Sequence, residues 1–541
     1  MSTEEREGTV GTPAGARWGA GLEAALVVLS VVFFLLNTIG GAAFKSLTAD
    51  EATHNLFGRA VLDGRTADLP LPAQGGAAAD ALGTWLLGRA RALASADAQV
   101  DALFWARLPT ALLGALLVVA MWALARRLGG TWAGVTAAWL AAWCPTLLGH
   151  AKWQTADVPT ALGMVGGTLA IVAFLERPDA RRGALAAAAV GAAQLGKVTM
   201  LLLLPAFALL AVLAWLAARR RLETGARRRL AGRFAAGVAG AVLASVVLIN
   251  SAYAGWRSFR PARECPLRVV AATVGRVPAA AALPVPVAVG YLRTVQAALD
   301  DRRSGHWAYF HGRHSRTGFL AYYPVLAAMK ATPAELALAA LFAWLLATRR
   351  LRLARADLAV GLIAAAFVAS QMFGVAVQIG IRYMLPAWTL GLVLVARAAS
   401  AGRRRVLVAV AVLAFAHAYS SGRAFPHHLS YFNALAGGRC SAWRWFNDSN
   451  LSWGQDDFYL QEWRSQQREP VLVNPGRPAP GLIAIDANVL VGLDPDQAAH
   501  SAWLRENYRP AGCVTPAWIV FRVPDDRRLR DLAAAAYRST R

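Results

Sequence analysis

Lysine is nearly absent from this chain. Its 541 residues include four lysines, four cysteines and nine histidines, and only 16% are charged. Cationic charge is still in excess, with 56 Lys+Arg against 32 Asp+Glu and a net charge of +24, so almost all of it is arginine. Few charges together with 57% hydrophobic residues exclude a soluble globular protein of this length, which would expose too much apolar surface. The cysteines fix little. Cys144 falls in an apolar run, while Cys265, Cys440 and Cys513 fall in polar segments, where a Cys440–Cys513 bridge is one pairing open to them. A cleavable signal peptide is not evident either. The first apolar run lacks a small-residue cleavage site and is long enough to remain as an anchor.

Long apolar runs are what the sequence has instead. A spanning helix needs about 20 apolar residues, because roughly 30 Å of hydrocarbon is crossed at about 1.5 Å per residue. Residues 22–44, 103–125, 131–149, 158–175, 234–252, 332–348, 358–377 and 406–420 are candidates. The run 183–218 would make one helix of about 54 Å, too long for a bilayer, and is better read as two spans turning at Gly196-Lys197. The run 358–396 divides in the same way near 378–382. The expectation is an α-helical polytopic membrane protein of about eleven spans. Arginine clusters at 126–127, 177–182, 219–233, 349–355 and 397–405 fall in alternate short connections. With the N-terminus inside, eleven spans place every cluster on the cytosolic face, as the positive-inside rule requires. The basic excess then meets anionic headgroups of the lipid bilayer, not nucleic acid. Near-absence of lysine beside abundant alanine and arginine is also consistent with base composition alone.

The polar remainder divides simply. Residues 1–21 read as a disordered cytosolic tail, 22–421 as the transmembrane unit with exoplasmic loops 43–101 and 253–331, and 422–541 as a small exoplasmic α/β domain. In loop 43–101, "ADALGTWLLGRARALAS" suits an interfacial helix with Trp85 at headgroup level. In the last segment "GLIAIDANVLVG" and "AWIVFRVP" read as strands, and "DDFYLQEWRSQ" and "AAHSAWLRENY" as helices.

Under this topology the exoplasmic face gathers acids and bases from distant parts of the chain. Asp50, Glu51 and His54 follow the first span. His150 and Asp157 lie between the third and fourth, and Lys197 between the fifth and sixth. His311, His314 and Lys330 precede the eighth, and Arg382 and Tyr383 lie between the ninth and tenth. Ionisable groups at a hydrocarbon boundary are costly to place there. The set suits glycosyl transfer from a lipid phosphate. A carboxylate takes the acceptor proton, a second steadies the oxocarbenium-like centre, and Lys or Arg holds the leaving phosphate. Plainer roles exist for each residue: a dipole-favoured helix start for Asp157, a solvated turn for Asp50-Glu51, and snorkelling for Lys197 and Arg382. A metal pair at His311 and His314 is disfavoured by the basic "HGRHSR" around it.

The motifs carrying these residues resemble those of membrane-embedded GT-C glycosyltransferases. The similarity is to bacterial relatives of protein O-mannosyltransferases and aminoarabinose transferases that use polyprenyl-phosphate sugars. "TADEATHNLFGRAVLDG" resembles the first-loop acidic motif and "PTLLGHAKWQTADVPTAL" the second. "AAQLGKVTMLLLLP" resembles the lysine hairpin, and "YFHGRHSRTGFLAYYPVLAAMKATP" and "IGIRYMLPAW" resemble later loops. "LSYFNALAGGRCSAWRWFNDSNLSWGQDDFYLQEW" resembles the signature opening the C-terminal domain. The resemblance implies an inverting transferase of a bacterial inner membrane, with its active site on the periplasmic or extracellular face. It implies a polyprenyl-phosphate-linked sugar donor and an exoplasmic acceptor that is a protein, lipid or glycan. Asp50 would be the base with Glu51 beside it, Asp157 would orient substrate, and Lys197 and Arg382 would bind the lipid phosphate. His54, His150, His311, His314, Lys330 and Tyr383 complete the candidate substrate site. A divalent ion, Mg or Mn, on Asp50 and Asp157 is left open by the resemblance. Two features depart from the family: Ser452 stands where the C-terminal signature usually has Asp, and "LPLPAQGGAAADALG" replaces a proline-rich segment. The competing readings are a polyprenyl-lipid flippase and a lipid-binding relative without catalysis.

Overall fold

The computed structural model describes residues 14–63, 65, 82, 99–253, 258–373 and 377–539. The candidate interfacial helix around Trp85 lies outside them. Each of the eleven expected spans coincides with a helix. Helix α1 covers Ala14–Ala43, so its first turns belong to the segment expected as a disordered tail. A short helix α2, Ala49–Leu62, follows. Then come α3 (Gln99–Gly129), α4 (Thr131–Trp143), α5 (Pro145–His150), α6 (Asp157–Glu176) and α7 (Ala180–Ala193). Helices α8 (Leu203–Arg219) and α9 (Thr224–Ala252) complete the first part.

Among the described residues, eight helices are long and apolar enough to cross a bilayer unaided. The other three expected spans, at α4, α7 and the later α13 (Pro333–Ala347), are helices of only 13, 14 and 15 residues. Between α9 and α13 the chain forms α10 (Arg268–Arg276), α11 (Val289–Ser304) and α12 (Tyr322–Lys330). It also forms two short antiparallel pairs, β1 (Arg260–Pro261) with β2 (Pro284–Val285) and β3 (Ala308–Phe310) with β4 (Arg313–Ser315). Helix α12 meets α13 at a bend of 110°. Helices α14 (Arg355–Met372), α15 (Leu385–Ala396) and α16 (Arg404–Gly422) close the bundle.

The bundle interior is one apolar cluster that includes Leu117, Met121, Leu140, Val165, Leu390 and Val393, all essentially without exposure. Ion pairs mark the arginine-rich end. Arg126 meets Glu23 at 2.6 Å, Arg127 meets Glu176, and Arg397 meets Asp357 through two hydrogen bonds of 2.7 and 3.1 Å. The starts of α1 and α14 and the ends of α3, α6 and α15 thus lie together, as the charge pattern requires.

The C-terminal region carries a four-stranded sheet of order β5-β6-β8-β7, parallel between β5 (Val471–Val473) and β6 (Gly481–Asp486) and antiparallel elsewhere, with β7 (Gly512–Thr515) at its edge. Strand β8 is Trp518–Val523, as the sequence predicts. Two expectations are corrected. The strand beginning at Gly481 ends at Asp486, whose Oδ1 accepts from the Asn488 amide at 2.8 Å and starts a short helix, Ala487–Val491. The segment 498–508 is two helices broken at Ser501, not one. Cys440 and Cys513 are joined in a disulfide. The sheet is not a separate body. Ile483, Leu490 and Phe521 share one buried cluster with Tyr322, Ile381 and Phe446, so it is fused to the turns at one end of the bundle.

Candidate active site

Helix geometry separates the first acidic pair. Neighbouring residues on an α-helix point about 100° apart. Asp50 and Glu51, both in the first turn of α2, therefore cannot share a partner. Glu51 turns inward and is fully buried. Its carboxylate takes Arg107 Nε and Nη2, both at 2.8 Å, and the amides of Thr48 at 2.9 Å and Gln154 at 3.2 Å. Arg107 also donates to the carbonyls of Ala42, Lys45 and Ser46, and its guanidinium lies 4.7 Å from the Trp153 ring. The expected place of Glu51 in the catalytic set is thus corrected: every oxygen is occupied, and the pair fastens α2 to α3. Removing one partner of such a buried bidentate pair costs about 3–5 kcal/mol.

Asp50 faces the other way, partly exposed, into a cavity of about 580 Å³. Its Oδ2 accepts from Arg382 Nη1 at 2.7 Å. Asp157 opens α6 on the opposite wall, where its carboxylate pairs with the Lys197 ammonium. The expected turn at Gly196-Lys197 is present. Helix α7 ends at Ala193, and a Cβ on Gly196 would come within 2.9 Å of the Thr160 hydroxyl, so only glycine brings Lys197 this close to α6. Arg382 is set by another tight turn. Gly380 has φ +144, in a region that L side chains rarely adopt, and the Ile381 amide donates to Asn450 Oδ1 at 3.0 Å. The Arg382 guanidinium lies 4.5 Å from the Trp453 ring, and the Lys197 ammonium lies 5.4 Å from the Tyr383 ring.

The structure brings Asp50, His54, Asp157, Lys197, Arg382 and Tyr383 to this one cavity. The remaining candidates are elsewhere. His150 is buried behind Asp157, its Nδ1 3.9 Å from Asp157 Oδ2, and does not line the cavity. His311 is in the two-residue turn of the β3–β4 hairpin, with φ +48 followed by Gly312 at +81, and stacks on Trp445 at 4.3 Å. His314 meets the Gly492 carbonyl through Nε2 at 3.0 Å. Lys330 is buried, donating to the carbonyls of Leu429 at 2.6 Å and Asn450 at 2.8 Å. For these three residues the expected substrate role is replaced by attachment of the C-terminal region to the bundle.

Sequence reasoning missed Arg302, Gln371 and Thr155, which also line the cavity, and Trp453 behind Arg382. Arg302 had a signal, the run Asp300-Asp301-Arg302-Arg303 closing α11. The cavity lining is mixed: beside the aspartates and cations stand the apolar Leu201, Leu202, Pro205, Val295 and Leu299. An anionic group carried on a hydrocarbon chain fits such a lining, because charge and apolar surface are each matched.

The donor set does not suit a divalent ion. Of the three carboxylates lining the cavity, Asp50 and Asp157 are already paired with cations, Arg302 stands beside Asp301 in sequence, and no cluster of three or more metal-ligating side chains occurs among the described residues.

Residues 85–249 match the family of dolichyl-phosphate-mannose-protein mannosyltransferases. The mannosyltransferase match bears out the resemblance drawn from the loop motifs. It takes in Asp157 and Lys197, while Asp50 and Arg382 lie outside it. Among curated proteins nothing matches. Among solved structures the chain is similar to the protein O-mannosyltransferase Pmt1-Pmt2 complex of S. cerevisiae, with 17% identity over 44% of this chain and 36% of that one and a TM-score of 0.36. It is also similar to the oligosaccharyltransferase of Archaeoglobus fulgidus, with 13% identity over 78% and 57% and a TM-score of 0.44. ArnT from Cupriavidus metallidurans aligns over 93% of this chain and 98% of its own, at 15% identity and a TM-score of 0.32. The chain thus spans about a third of the matched yeast chain and little more than half of the archaeal one.

Proposed function

We propose that this chain is an inverting membrane glycosyltransferase that moves a sugar from a polyprenyl-phosphate carrier to an exoplasmic acceptor, with the cavity on the periplasmic or extracellular side of a bacterial inner membrane. One observation carries the reading: two aspartates from distant helices, each paired with a cation from another segment, face a single cavity that is also lined by apolar side chains. Asp50 is the base. It takes the proton of the acceptor hydroxyl as that oxygen bonds to the anomeric carbon. The bond from that carbon to the phosphate oxygen breaks on the opposite face, so configuration inverts, and the electron pair leaves with the polyprenyl phosphate. Lys197 and Arg382 hold the phosphate charge as it develops, with Arg302 within reach of the same space. Asp157 positions Lys197 and faces the sugar. His54 and Tyr383 line the path to these groups.

No step runs through a divalent ion, and a chelator is expected to leave the transfer rate unchanged. The test is transfer from polyprenyl-phosphate sugars by purified Asp50→Asn protein. Loss of transfer with folding intact supports the reading, and wild-type rates overturn the assignment of the base.

A further inference from the structure

A second cavity, of about 710 Å³, lies outside the reaction site and shares no lining residue with it. It opens where α16 ends and α13 begins, against the C-terminal sheet at Pro516. Arg423, Arg439 and His427 line it together with Tyr431 and Asn433, and its described lining includes no carboxylate. Positive charge also lies behind its wall. Lys45 is buried against Asp456, with its ammonium 2.8 Å from His427 Nδ1. Lys152, equally buried, donates to the Pro426 carbonyl at 2.9 Å and to His428 Nδ1 at 2.8 Å, and meets no carboxylate among the described residues. Asp456 is the one acid in this network, with Oδ1 toward Lys45 and Oδ2 3.3 Å from His427. Burial opposes its charge, but the bonds from His427 and Lys45 prevail and hold its carboxyl down to about 2. Asp456 is taken by Lys45 and His427, which leaves Arg423 and Arg439 in a described lining without a carboxylate, a basic surface that suits an anion.

The position of the cavity says what carries that anion. Its rim continues the exposed apolar strip of the bundle. Phe415 and Tyr419 on α16 are 72% and 59% exposed, and Phe425 meets the exposed Phe44 at a ring distance of 6.4 Å. Aromatic side chains at the end of a spanning helix sit at headgroup level. Arg423 reaches from there toward the cavity, its Nη1 3.2 Å from the Tyr419 hydroxyl. The geometry points to a binding site for the phosphate of an anionic lipid headgroup, with Arg423 and Arg439 as its direct ligands. Guanidinium pairs grip phosphate oxygens bidentately, and the acyl chains follow the aromatic strip.

The site is tested on the full chain in detergent by native mass spectrometry, with phosphatidylglycerol, phosphatidylcholine and inorganic phosphate as separate probes. Wild type is expected to retain phosphatidylglycerol over phosphatidylcholine. Arg423→Ala/Arg439→Ala is expected to bind phosphatidylglycerol about tenfold more weakly, since two charge-assisted contacts are lost. Arg423→Lys/Arg439→Lys keeps the charge and restores part of the binding, which separates site loss from misfolding. Lys197→Ala is expected to lose the polyprenyl-phosphate donor and keep phosphatidylglycerol, so failure here and failure of the transferase reading give different results. Equal retention of the two lipids, or undiminished binding in the double alanine variant, overturns the site. Saturable binding of inorganic phosphate with no preference between lipids overturns the lipid occupant.

Discussion

The two ends of the helix bundle differ in where they place lysine. At one end arginine is plentiful and mostly solvated: Arg220, Arg221, Arg349 and Arg350 are all exposed. At the other end arginines are also numerous, and several, such as Arg263, Arg268 and Arg276, are exposed, but this end alone adds buried lysine. All four lysines are there; Lys45, Lys152 and Lys330 are 1–2% exposed, and the Lys197 side chain is 24% exposed. Solvated arginine at a bilayer surface meets headgroups and fixes orientation. Buried lysine needs a specific acceptor, because desolvation of an ammonium is costly. Each end also has a closed bidentate pair, Arg397–Asp357 and Arg107–Glu51, in which every carboxylate oxygen is taken. The arginine end has solvent-exposed pairs such as Arg127–Glu176, whereas the lysine end places two open single-contact pairs, Asp50–Arg382 and Asp157–Lys197, on one cavity. Closed pairs hold helices, whereas open pairs leave lone pairs and donors for a substrate.

Breaking one open and one closed pair sharpens this contrast most. Asp50→Asn is expected to lower transfer by about 10²–10⁴-fold, the usual range for a general base, with little change in thermal stability. Glu51→Gln is expected to do the reverse: a marked loss of stability, because Arg107 is left charged and underpartnered, with residual activity in whatever protein stays folded. Scanning fluorimetry beside initial rates separates the two variants. Next in size, Arg382→Lys is expected to raise KM for the donor about tenfold or more with a smaller change in kcat. Lysine keeps the charge and loses the planar guanidinium that reaches Asp50 through one nitrogen and rests on Trp453.

The smallest effect concerns acid. His427 and His428 are both held below the ordinary histidine value of 6.5, chiefly by burial, and His428 further by the Lys152 ammonium. Below that value the unfolded chain binds protons that the folded chain does not, so stability present above about pH 6.5 is lost as pH falls. The unfolding midpoint is expected to drop between pH 7 and pH 5. His428→Gln keeps an acceptor for Lys152 and should flatten that drop.

Much of the fold could be read from the sequence, because hydrocarbon thickness fixes helix length and arginine marks one face. The turns at 196–197 and 378–382 followed from length alone. The roles within the acidic pair did not. Which of Asp50 and Glu51 faces inward depends on Arg107, a lone cation inside an apparently clear span, and a buried cation in such a run is itself a signal of a buried acid. The histidines of the β3–β4 hairpin misled for a related reason. Their neighbours in sequence are basic and exposed, while their partners, Trp445 and Gly492, come from more than a hundred residues away. The interlock between 447–456 and the turns bearing Asp50 and Arg382 is likewise long-range. The Ala49 amide donates to the Trp453 carbonyl, and the Ile381 amide to Asn450. No local pattern announces such contacts.

The division of the two ends across a membrane is tested by labelling with a membrane-impermeant thiol reagent in intact cells. In a Cys265→Ser background, His54→Cys reports the cavity end and Arg220→Cys the arginine end. The account predicts that the first is labelled from outside and the second only after permeabilisation. Labelling of both from the same side, or of Arg220→Cys alone from outside, contradicts it.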